Sequence, residues 1–353
     1  VQTQSRRFSG IARGARDRLR AGPGGLPCGT VSGFDVSGNA DFEGGIGQGA
    51  GSFGSDVFDC VNGRRAILDG AFTVSRDDTL GTQAQLHFSM QRERFVSDDA
   101  LRGWFWGGYV SRTTVTDLAD GEITGLGANA GFYGAERFGG GLMLDWYAAG
   151  AAGRHQYRLT FSDPVADIET DGQYGYAALF AGMAVSGERA FDTFTLRPRA
   201  GLDLSHARVG DADVTASQLA ITDTGTIDLS DFTGGRVFAE VAFESIGTAE
   251  GAARFTEATR TMFAPRLACE GDSFETDWSC GLGMAFEWER TDPVHGLTLG
   301  VDLDYERIDE TDRFALGLRH ERLLARGAGS VVTRLSFPSA SSMTVDYGVA
   351  LDF

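Results

Sequence analysis

The chain has 353 residues, a net charge of −18, 50 Gly and only 7 Pro. Hydrophobic residues make up 42% and charged residues 23%, a balance that excludes a disordered chain, while the acidity excludes nucleic acid as a partner, because phosphate contacts need a basic surface. No stretch approaches the roughly 18 consecutive apolar residues of a membrane-spanning helix. That criterion says nothing of strands, which cross a membrane showing only alternation.

The sequence opens on Val1 without the charged and apolar regions of a signal peptide, so a processed or cut product is expected. Residues 1–21 differ from the rest: six Arg (Arg6, Arg7, Arg13, Arg16, Arg18, Arg20) face one Asp, so the segment is about +5 and the remainder about −23. Phe8, Ile11, Ala12, Ala15 and Leu19 recur at helical spacing. Ser9 is placed to cap the helix start, and "GPGG" at 22–25 to stop it. A helix of some 15–20 residues would span roughly 22–30 Å.

Residues 22–102 read as a Gly-rich connector. "GGIGQGAGSFG" lacks the lysine of a phosphate loop, and no cofactor is expected. Within 65–91, Leu68, Gly70, Phe72 and Val74 alternate on one face, and so do Leu80, Thr82, Ala84, Leu86, Phe88 and Met90. These two runs form a hairpin or extra strands of a barrel.

From Gly103 the period-2 pattern is nearly continuous, in twelve runs at roughly 103–115, 122–137, 139–157, 172–187, 192–208, 234–247, 253–269, 276–290, 295–308, 312–323, 329–337 and 342–353. Each is long enough for a tilted membrane strand, and no helical period interrupts them. In one run Phe194, Leu196, Ala200, Leu202 and Leu204 oppose Arg197, Arg199, Asp203 and Ser205. Trp104, Trp106, Trp146, Trp288, Tyr305, Phe337 and Phe353 fall near run ends on the apolar face, as interfacial girdles do. Short connections after even runs and longer ones after odd runs match the asymmetry of outer-membrane barrels. The fold expected is therefore all-β: an antiparallel transmembrane β-barrel of about 12 strands over 103–353, with 14 as the alternative count. The last run, "MTVDYGVALDF", is expected to close the barrel by pairing with the first, 103–115. A soluble β-sandwich is the competing all-β fold.

The polar face then lines a lumen. It carries Asp203, Glu240, Glu244, Glu287, Glu289, Asp302, Asp304 and Asp346, offset by Arg197, Arg199, Arg236, Arg313, Arg319 and Arg334. Four cysteines in two sequence-local pairs suit disulfides of an oxidising compartment. Connectivity is not readable from sequence; Cys28–Cys60 and Cys269–Cys280 are preferred because they close the shorter loops. Neither CxxC spacing nor clustered histidines point to a metal. His155 and His320 have no Ser or Asn signature beside them, so no catalysis is expected.

Three features resemble the translocator domain of classical autotransporters: the N-terminal helix followed by strands, the opening run "RGWFWGGYV", and the terminal alternation. That resemblance implies a monomeric Gram-negative outer-membrane protein that exports and anchors an N-terminal passenger. It places the basic helix in the pore, and it makes Tyr347, Val349, Leu351 and Phe353 the signal read by the barrel-assembly machinery. Self-cleaving members of that family cut a pore helix at Asn or between small residues; residues 1–21 hold no Asn, so no cleavage is expected there. The alternative function is a stand-alone channel or adhesin barrel plugged by its own N-terminal segment.

Overall fold

The computed structural model describes residues 2–23, 28–41, 47–77, 81–116, 119–162, 166–219, 221–250, 256–271, 278–292, 297–308, 311–323, 329–339 and 342–352. Helix α1 (Gln2–Ala21) comes first. Among the described residues nineteen strands follow it: β1 (Gly29–Asp41), β2 (Gly47–Asp59), β3 (Arg64–Asp77), β4 (Gly81–Ser97), β5 (Ala100–Val115), β6 (Asp120–Phe138), β7 (Leu142–Phe161), β8 (Ile168–Ser186), β9 (Arg189–Ala190), β10 (Thr195–Val209), β11 (Ala212–Gln218), β12 (Ile221–Ile227), β13 (Phe232–Glu250), β14 (Thr256–Gly271), β15 (Ser279–Asp292), β16 (Leu297–Ile308), β17 (Thr311–Leu323), β18 (Gly329–Ser339) and β19 (Ser342–Asp352).

Sixteen of these are the staves of one antiparallel sheet. The other three are accessories: β9 is a two-residue strand beside β10, and β11–β12 is a hairpin set into the connection from β10 to β13. Each stave pairs with two neighbours; β1 lies between β2 and β19. Sixteen replaces the expected twelve because residues 22–102 are not a connector: β1 to β4 occupy most of that stretch, and the runs at 65–91 are the β3–β4 hairpin. The closing partner is corrected with it. The last strand pairs with β1, with Val349 opposite Phe34 and Leu351 opposite Ser32, and not with 103–115. The sequence pattern fails at β1 and β2 because "GTVSGFDVSGNAD" and "GQGAGSFGSDVFD" are rich in Gly and Ser, which erases the alternation.

The outer face is apolar: Leu126, Phe132, Leu179, Met183, Leu267 and Leu282 are each 50–69% exposed, a distribution that is stable only against lipid. Trp104 and Trp106 lie outward toward the end of the barrel that holds the β4–β5, β6–β7 and β8–β10 turns, here called end A. At the opposite end, end B, the outward positions turn polar at Arg112, Glu122, Arg154, Arg158, Asp171 and Gln173, so β5 to β8 rise beyond the apolar belt. One long connection, 210–231, stands out at end B, and it folds back as β11–β12 along β8. The remaining connections are short at both ends, so the expected loop asymmetry reduces to that single insertion.

Two disulfides are present. Cys28, just before β1, is joined to Cys60, just after β2, at end A. Cys269 and Cys280 stand directly opposite each other on β14 and β15, with Cα atoms 4.0 Å apart.

Candidate functional site

Helix α1 lies inside the ring. It packs along the inner face of β5 to β8 and β10, and its arginines reach strands well beyond that wall. The helical spacing of the sequence is the packing seam: Phe8, Ala12, Ala15 and Leu19 are 0–1% exposed, and Ile11 packs beside them. Ala12 and Ala15 allow close approach to the wall. The Phe8 ring is held between Phe105 at 4.9 Å, Phe180 at 5.1 Å and Tyr147 at 6.2 Å. Twenty residues make a helix about 30 Å long. Its C-terminal turn sits at end A, where Arg137 donates to the Leu19 carbonyl and Arg20 meets Glu188. Strand β1 starts at that same end.

Ser9 is not the cap expected of it, because the helix starts at Gln2. Instead its hydroxyl reaches Asp203 from the middle of the helix. Asp203 also accepts from the Tyr147 hydroxyl at 2.9 Å, which lies 3.1 Å from Ser5 Oγ.

The helix arginines find acids that the periodicity alone did not single out. Arg18 grips Glu93 with two hydrogen bonds of 2.6 and 2.7 Å, and Glu93, 5% exposed, also accepts from Tyr133. Arg6 meets Glu270 at 2.6 Å and Arg7 meets Asp69 at 3.3 Å. Arg16 lies 3.8 Å from Asp145, which Arg199 holds at 3.1 Å from the other side. Arg13 is exposed, and with Gly10 and Asp17 it forms the face that looks into the rest of the lumen. Two signals were readable. Continuing the β4 alternation past Met90 puts Glu93 on the inner face, and Asp145 sits inward beside outward Trp146.

The predicted lumen acids are answered largely by the wall itself. Glu244 pairs with Arg197 and Arg260, and Arg260 also reaches Glu287 at 3.1 Å. Arg266 meets Glu240 at 2.8 Å and Asp304 at 3.5 Å. Arg236 bridges Glu306 and Glu270, and Glu270 is the acid that Arg6 shares. Asp302 is exposed on the inner face of β16. Asp346, Tyr347, Val349 and Leu351 lie on β19 in register with β1, and Phe353 falls outside the described residues.

A second construction lines the inner face of β5 to β8. Rings lie over glycines of neighbouring strands: Tyr133 over Gly103, Tyr147 over Gly182, Tyr109 over Gly127, Tyr176 over Gly153 and His155 over Gly125. A Cβ at any of these glycines would collide with the ring. Glycine here makes room for aromatics lying flat against the wall.

The arrangement holds a basic helix against one wall of a wide lumen and ties it to the opposite wall through Glu270. Sixteen strands enclose more space than one helix fills, since barrels of 16–18 strands leave aqueous channels.

Neither a family model nor a curated protein sequence matches the chain. Solved structures do. CdiB from Acinetobacter baumannii superposes with a TM-score of 0.53 at 10% identity, over 92% of this chain and 60% of that one. The chain thus spans about 60% of the CdiB length. The translocator domain of autotransporter NalP from Neisseria meningitidis matches at 10% identity, over 100% and 95% of the two chains, with a TM-score of 0.43. The β domain of the Bordetella autotransporter BrkA matches at 12%, over 92% and 99%, with 0.41. By fold, the chain is a β-barrel of the outer-membrane type with an N-terminal helix inside it.

Proposed function

We propose that the chain is the translocator of an autotransporter, a non-catalytic outer-membrane barrel that exports and displays a polypeptide joined to its N-terminus. The observation that supports this is the path of α1. The helix meets β1 at end A and runs from there up the lumen, so a segment joined ahead of it would be directed toward end B. The barrel carries the helix as a docked element, with a dry apolar seam and five arginine tethers. On this reading end A is periplasmic and end B external, so both disulfides lie outside the cytoplasm, where thiols oxidise. The barrel-assembly machinery reads the last strand.

The test is display. A small reporter domain fused ahead of Val1 should appear on the surface of intact cells, accessible to added protease, and removing residues 329–353 should abolish it. A reporter that stays in the periplasm while the barrel inserts normally would overturn the reading.

The room left beside the helix favours one other reading, a channel partly plugged by α1. Large steady conductance of the intact protein, together with failed display, would select it.

A further inference from the structure

The flat rings on β5 to β8 form two tiers. In the tier nearer end A, Tyr133 and Tyr147 belong to the buried cluster that receives α1. The tier nearer end B is built the same way on the same strands. Tyr176 donates to the Tyr109 hydroxyl at 2.9 Å, and Tyr109 lies 3.1 Å from His155 Nε2. The His155 ring stacks on Tyr174 with centroids 5.1 Å apart. These hydrogen bonds hold the polar edges together, and the glycines hold the rings flat. Yet this tier has no helix on it: Tyr109, His155, Tyr174 and Tyr176 are only partly buried. Between the tiers the inner face is Ala149, Ala151 and Ala178, which join the same buried cluster. The helix interface therefore continues past the helix as an open aromatic surface.

We propose that this upper tier is a binding track for polypeptide passing through the lumen. It takes segments carrying aromatic, aliphatic and Arg side chains, the residue types α1 itself brings to the wall, and offers them π faces instead of charges. The track rests on the translocator reading. It explains why the end-B half of β5 to β8 offers neutral rings where the opposite wall carries charges, since rings grip many sequences weakly and so allow passage.

The test uses the full chain in planar lipid bilayers, with a synthetic peptide of residues 2–21 as probe, and reads the dwell time of current blocks. Tyr109→Ala, Tyr174→Ala and Tyr176→Ala should each shorten the dwell ~2–10-fold, the range of one aromatic contact. Y176F, which keeps the ring, should retain it, and Met262→Ala on the opposite wall should leave it unchanged. Faster migration of unboiled protein on gels verifies that each variant is folded. No block by the peptide on the unaltered protein, or equal dwell in all three folded Ala variants, would overturn the track. Unchanged dwell with normal reporter display would remove the track alone. Failed display with ring-dependent dwell would remove the export reading and keep the track.

Discussion

The two walls of the lumen hold the same kinds of charged group and use them differently. On β4 to β8 the acids Glu93 and Asp145 are buried, and their partners include arginines of α1. On β13 to β16 the acids pair with arginines of the sheet itself; Glu244 and Glu306 are as buried as Glu93, but other members of these pairs are half open to the lumen, such as Arg260 at 38% and Asp304 at 50%. Burial decides how much each pair matters. A buried pair that loses one member leaves an uncompensated charge, at a cost of about 3–5 kcal/mol, whereas pairs in contact with water contribute about 0–1 kcal/mol and are screened by salt. The helix is therefore held by the near wall. The far wall is a self-neutralised lining, linked to the helix at Glu270.

Four substitutions probe this contrast. Glu93→Ala should have the largest effect, about 3–5 kcal/mol against helix docking, because Arg18 and the Tyr133 hydroxyl lose their shared partner at once. Faster hydrogen exchange along α1 and increased conductance would report it, and unchanged exchange would refute the anchoring role. Phe8→Ala comes next, at about 3 kcal/mol, since it empties a seat made by three rings. Here the same readouts should move while the barrel keeps its heat-modifiable migration.

On the far wall, Arg260→Ala should cost only about 1 kcal/mol, because Glu244 keeps Arg197. Its effect on thermal unfolding should fade in 1 M salt, unlike that of Glu93→Ala; a salt-independent loss would mean this wall is drier than its exposure indicates. Arg13→Ala should be nearly silent, within about 0.5 kcal/mol. If it loosens α1 as much as Glu93→Ala does, the helix is held by the general field of the lumen rather than by specific buried pairs.

Much of this was legible in the residue pattern. Alternation from Gly103 onward identified the twelve later staves and their lumen face, because one side of each strand must be apolar against lipid. The spacing of Phe8, Ala12, Ala15 and Leu19 identified the buried seam of the helix for the same reason at a period of 3.6. The staves β1 and β2 escaped, because a glycine gives no apolar signal while its backbone pairs as well as any other. The electrostatic partners escaped for a different reason. Arg18 and Glu93, or Arg6 and Glu270, are brought together only by the curvature and register of the sheet.

Local pattern was thus enough to specify a membrane barrel with a basic amphipathic helix at its start, since periodicity is a property that solvent and lipid impose residue by residue. The number of staves, the meeting of the last strand with β1, and the seating of the helix on one wall were set only by the folded chain. Ring closure and lumen width are sums over the whole sheet, and no single segment carries them.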